Sequence, residues 1–228
     1  MPSIRRFLDN GTIDLRRSFA QAPDLQRLAA GESLLAEYRR LLERLRRGFA
    51  VVELQAFEDL PGHAVPRLRA HRSTWRLSHD IGILGGTAPL PARPEDLENA
   101  GCLAGWSAKL GAHFALAHIL ESLAHAQARL ETCFGRRLVA CLLFNTRPIA
   151  DAPCFTAAVD QLIDETSPAL DWGETLAGAR RTLRTIRHAL VDQQSPARAG
   201  HRNPGAAPIH ADAATPANGR SRHDRVPA

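Results

Sequence analysis

The chain has 228 residues, of which 44% are hydrophobic but only 5% aromatic, and its formal charge is +5. That is apolar material for one domain of about 190 residues packed mainly by Leu and Ala, both strong helix formers. No run approaches the roughly 18 apolar residues of a membrane span, and the start MPSIRRFLDNGTIDLRR lacks the apolar stretch of a secretory signal, so a cytoplasmic location with no membrane partner is expected.

In chain order, Thr12 is placed to cap a short helix running through Phe19. Ser33 is placed to cap a long amphipathic helix, SLLAEYRRLLERLRRGFAVVELQAF. Its Leu34, Leu35, Tyr38, Leu41, Leu42, Leu45, Phe49 and Val52 share one face. Pro61 and Gly62 break that pattern. The next helix is expected over 66–84, with Leu68, Trp75, Leu77, Ile81 and Leu84 apolar, and it ends at Gly85-Gly86. After the loop TAPLPARP, Pro94 opens a helical region through Phe134 that can kink near Gly101, Gly105 or Gly111. A short segment over 138–144 follows, then helices over 153–165 and 170–193. No period-two strand and no fixed-length repeat is visible. The expected fold is an all-α single domain of seven or eight helices over residues 1–194. Residues 195–228, rich in Pro, Ala, Gly and Arg, lack the apolar surface to offset ordering entropy and read as a disordered tail.

Cys102, Cys133, Cys141 and Cys154 are too scattered for a C-x-x-C site and are expected as reduced core residues. Basic residues outnumber acidic ones 29 to 24. They are dispersed over several helices and the tail, so net charge does not point to nucleic acid. Arg67, Arg69, Arg72 and Arg76 form a basic stripe, read as a solvated face. The chain contains no Gly-rich phosphate loop, no G-x-S-x-G turn and no H-E-x-x-H pair.

The stretch LGAHFALAHILESLAHAQARL, from Leu110 to Leu130, is the richest in chemistry. His118, Glu121 and His125 stand at i, i+3 and i+7 on one helical stripe, among small residues such as Ala115, Ala117, Ser122 and Ala126. Such a helix either packs tightly against neighbours or lies against a flat ligand. Imidazole and carboxylate suit iron or zinc, which makes His118 and His125 candidate metal ligands. Ligands for such a site normally come from several helices.

A set of short motifs follows one order along the chain: Thr12, then Pro23-Asp24-Leu25-Gln26-Arg27-Leu28, Gly31, Glu37-Tyr38 and Leu41-Leu42. Next come Asp80-Ile81-Gly82-Ile83-Leu84-Gly85, Leu90-Pro91, His118-Ile119-Leu120-Glu121-Ser122, Ala179 and Thr182-Leu183. This order resembles the bacterial, biliverdin-producing heme oxygenase family found beside bacterial phytochromes, and covers roughly residues 1–193. The resemblance implies a heme-oxygenase-like helical bundle, oxidative cleavage of heme to biliverdin, and an electron donor or a bacterial phytochrome as partner. It places Arg16, His118, Glu121, Ser122, His125 and Ala126 around the heme or another tetrapyrrole.

The family's iron-ligating His stands four residues after the Thr, where this chain has Arg16, and no His precedes His63. Arginine stays protonated and has no lone pair for iron. The family's distal glycines are replaced by Ser122, Ala126 and Gln127. His118 and His125 would ligate from the distal side, and His79 beside Asp80 occupies no ligand position of the family. The expectation is therefore a degenerate relative with little or no ordinary activity. The alternatives are a non-catalytic scaffold that binds heme, a tetrapyrrole or a partner, and a helical metal-dependent oxidase using His118, Glu121 and His125.

Overall fold

Residues 105–127 are apolar on every side, and a helix of that kind has to be surrounded by others. A computed structural model, which describes residues 3–86, 101–146 and 148–191, places this helix at the centre of an all-helical domain. In chain order the helices are α1 (Ile4–Ala20), α2 (Pro23–Ala30), α3 (Leu35–Ala56), α4 (Val65–Leu68), α5 (Thr74–Ile83) and α6 (Gly105–Gln127). They continue with α7 (Leu130–Phe134), α8 (Arg136–Ala140), α9 (Leu143–Thr146), α10 (Pro148–Thr166) and α11 (Trp172–Val191). Single 3-10 turns follow α4 and α10. No strand occurs among the described residues. The helices outnumber the seven or eight expected because α4, α7, α8 and α9 are pieces of four or five residues. No helix among the described residues is long and apolar enough to cross a membrane. The Leu90-Pro91 loop, the helix start at Pro94 and the tail from 195 lie outside the described residues.

Helix α6 is covered by α11, α10, α1, α2 and α3, and its residues 110–117 are all buried. Its small residues serve helix packing. A Cβ built on Gly111 would lie 1.9 Å from the Thr175 carbonyl oxygen of α11, and one built on Gly178 would lie 2.1 Å from the Ala108 carbonyl oxygen of α6. Backbone therefore meets backbone at two places along this helix pair, and only glycine admits it. Helix α6 also runs unbroken past Gly111, so this glycine marks a close approach and not a kink. Against the same core, α3 buries Tyr38, Leu41, Leu42, Leu45, Phe49 and Val52, the face expected from its spacing. Its Leu34 and Leu35 remain exposed.

Two buried carboxylates fix the short elements. Glu53 of α3 accepts the Ser73 N–H (2.6 Å), the Thr74 N–H (3.2 Å) and the Thr74 hydroxyl (2.7 Å), satisfying free donors at the start of α5. Asp80 of α5, fully buried, accepts the Leu143 N–H (2.7 Å) and the Phe144 N–H (2.9 Å) at the start of α9. Burial pushes both carboxyls up, and these bonds oppose the shift.

This anchoring overturns several local expectations. The single helix over 66–84 is broken at Arg72 and Ser73, because Glu53 draws that backbone out of the helix and starts α5 afresh. The basic stripe is consequently not one face. Arg67 pairs with Glu165 at 2.7 Å, Arg72 lies over the Phe57 ring at 5.0 Å, and Arg76 is buried and donates to the Ala70 carbonyl. Thr12 does not cap α1: it lies buried within the helix and donates to the Leu8 carbonyl at 2.8 Å. Ser33 makes no cap, since α3 starts one residue later, where the Glu37 carboxylate accepts the Leu34 N–H at 2.9 Å. The Gly85-Gly86 stop is as expected, with Gly85 at φ +73 and the Gly86 N–H on the Ile81 carbonyl. The cysteines are free but not core: Cys102, Cys141 and Cys154 are exposed and Cys133 is half-buried.

Candidate functional site: the Arg16–His118 cluster

Three helices contribute to one polar cluster. Asp9 and Arg16 lie two turns apart on α1, His118 and Glu121 one turn apart on α6, and Thr156 and Asp160 one turn apart on α10. The Arg16 guanidinium reaches the His118 ring, with Nη1 3.1 Å from Nε2 and 3.2 Å from Nδ1. Its Nη2 pairs with the Asp9 carboxylate at 3.1 Å and donates to the Asp9 carbonyl. His118 Nδ1 also lies 3.1 Å from Glu121 Oε2, and Glu121 Oε1 accepts the Thr156 hydroxyl at 2.8 Å. Asp160 pairs with Arg5 at 2.8 Å.

These partners assign the tautomer. Nδ1–H donates to the Glu121 carboxylate, and the Nε2 lone pair faces the permanently charged Arg16. Burial holds the His118 pKa below its ordinary value, and the Arg16 charge adds to this. Glu121 and Asp9 oppose the shift without cancelling it. The ring is thus neutral near pH 7, packed edge-on against Phe114 at 4.6 Å. Burial raises the Asp160 carboxyl, Arg5 works against this, and the negative charges of Asp164, Asp9 and Glu121 reinforce it.

A histidine with a carboxylate on one nitrogen has half of a general-base arrangement. Here its other nitrogen faces a guanidinium, so it is not open to take a proton from a substrate. Of the six residues expected around a tetrapyrrole, the fold brings Arg16, His118 and Glu121 together. The other three are elsewhere engaged. Ser122 donates back to the His118 carbonyl, and His125 is exposed with Nδ1 2.7 Å from the Glu121 carbonyl. Ala126 is buried in the core, and the neighbouring Gln127 donates to the Tyr38 hydroxyl. His79 lies at the surface, paired with Asp80.

The residues present do not fit heme between α1 and α6. Arg16 has no lone pair, and its side chain crosses the space to touch His118, whose own lone pair is engaged. Of the two glycines of α6, Gly105 opens the helix and Gly111 abuts the backbone of α11. Among the described residues no three His, Cys, Asp or Glu side chains are grouped to hold a metal ion.

Sequence spacing does not single out Asp9, Thr156 or Asp160. The legible signal was Asp9 seven residues before Arg16, which puts both on one face of a helix. No protein-family model matches this chain, and comparisons with curated proteins and with solved structures found no match either.

Proposed function

We propose that this chain is a non-catalytic helical binding domain, a scaffold and not an oxygenase that turns over heme. The observation that carries the reading is the Arg16–His118 contact. The position where the resembled family supplies an iron ligand holds a cation instead, and that cation is spent on His118, one of the two α6 histidines that could have replaced the ligand. Glu121 and Thr156 close the network from the other side, which leaves no open base or lone pair at the centre of the cluster.

Hemin titration tests this directly, with the Soret band as readout, followed by addition of a reductant and dioxygen. The expected result is no saturable Soret complex and no biliverdin absorbance. Arg16→His is expected to do no better, because the substituted ring faces His118 and not an open slot. A stoichiometric Soret complex of the unmodified chain that converts to biliverdin would overturn the proposal.

A further inference from the structure

Away from this cluster, a cleft of about 830 Å³ lies between α3 and α11. Its charged lining is Arg47 from α3 with Arg180, Arg181, Arg184, Arg187 and His188 from α11. No carboxylate lines it among the described residues, and its floor is formed by small or apolar residues, including Gly48 and Val51. Arg181 is held in place by donating to the Cys102 carbonyl. Arg180, Arg184 and Arg187 have no carboxylate partner among the described residues. Arg5, Arg16, Arg27, Arg44 and Arg67, which do not line the cleft, each pair with one.

The concentration of charge is unfavourable in itself. Arg184 has Arg180, Arg181 and Arg187 as its i−4, i−3 and i+3 neighbours, and like charges at these spacings destabilise a helix. The helix dipole favours cations only in the last turn, which Arg180 and Arg181 do not reach. A bound polyanion would offset the repulsion, and guanidinium forks bind phosphate and carboxylate oxygens in pairs. The volume is that of a small-molecule pocket. Single-stranded nucleic acid would be expected to use stacking aromatics, and no described Phe, Tyr or Trp lines the cleft.

We infer that the α3–α11 cleft is a binding site for a small polyanion carrying two or more phosphate or carboxylate groups. This goes beyond the scaffold reading by naming a ligand class, and it rests on residues outside the Arg16–His118 cluster, so a hemin result does not decide it.

Isothermal titration of the full chain with pyrophosphate and, separately, citrate tests the inference and tells phosphate from carboxylate preference. Saturable binding of at least one anion is expected. It should weaken about tenfold or more in Arg184→Ala and in Arg180→Ala, and stay unchanged in Arg136→Ala, which removes an exposed arginine of α8. Circular dichroism checks that each variant is folded, and the exposed positions make this the expected result. Three results would overturn the inference: no saturable binding of either anion, equal weakening in Arg136→Ala, or a duplex DNA oligonucleotide bound more tightly than both.

Discussion

Replacing Gly111 by Ala tests the central packing of the fold. In isolation the substitution favours a helix by about 1 kcal/mol, because glycine is the poorer helix former. In this structure the added Cβ would stand 1.9 Å from the Thr175 carbonyl oxygen, 2.8 Å from its carbonyl carbon and 3.0 Å from the Ala179 nitrogen. Ordinary contact begins near 3.4 Å, so α6 and α11 must separate locally by about 1.5 Å. The obstructing atoms are backbone, which cannot rotate aside. Overpacking of this kind costs about 1–3 kcal/mol and occasionally more, and rigid neighbours place it at the upper end. A net loss of about 2 kcal/mol is expected, equivalent to a fall in Tm of roughly 4–8 °C for a domain of this size. Urea unfolding followed by circular dichroism measures it, with an unchanged m-value showing that the denatured state is not responsible. Gly178→Ala is expected to behave alike, and the double variant should lose less than the two losses added, since the first already parts the helices. Gly82→Ala is the control: nothing lies within 4 Å of its Cβ, so it should be neutral or slightly stabilising. If Gly111→Ala is as stable as the parent, α6 and α11 do not meet as described.

Four further outcomes are expected. Glu53→Ala strands the Ser73 and Thr74 donors and should cost about 2–4 kcal/mol in urea unfolding, whereas Glu53→Gln, which keeps one acceptor oxygen, should lose less. A loss under half a kilocalorie in the alanine variant would remove Glu53 as the anchor of α5. His113 is fully buried against Phe57 and hydrogen-bonded to the Ala56 carbonyl, and burial pushes its pKa down to about 4. The unfolded chain takes up that proton near pH 6.5 and the folded chain does not. This residue's contribution to stability is therefore full above pH 6.5 and is lost as pH falls toward 4. An NMR titration that finds the His113 ring protonating near pH 6.5 would contradict its burial. Arg16→Leu removes a cation that depresses His118, so the His118 pKa should rise relative to the parent, and an unchanged or lower value would refute the contact. Under native conditions a thiol reagent should modify Cys102, Cys141 and Cys154 faster than Cys133, and equal rates for all four would contradict their different exposure.

What could be read before folding was local. The spacing of Tyr38, Leu41, Leu42, Leu45, Phe49 and Val52 places them on one helical face, and that face is buried. A glycine after α5 supplies the left-handed stop at which many helices end. Spacing also puts His118 one turn from Glu121, and the two side chains do meet. In each case the interacting groups lie within a turn or two of one another, so the pattern of residue types carries the information.

The remainder depended on groups far apart in the chain. Twenty residues separate Glu53 from the backbone whose helix it interrupts, and 102 separate Arg16 from His118. Local propensity cannot register such pairings, because it weighs a residue only against its own neighbours. The same limit applies to α6. Its glycine and alanines are compatible with a flat ligand or with a second helix, and the choice fell to α11, whose Gly178 matches Gly111 closely enough for the two backbones to touch. The arginines of α11 read from sequence as dispersed charge, and only their placement opposite Arg47 of α3 gathers them around one cleft. The sequence by itself determined an all-helical chain with a buried, polar-studded helix near its middle. Tertiary packing decided that the Gly111 face of this helix meets protein, because backbone contact between two glycine-bearing helices leaves no width between α6 and α11 for anything else.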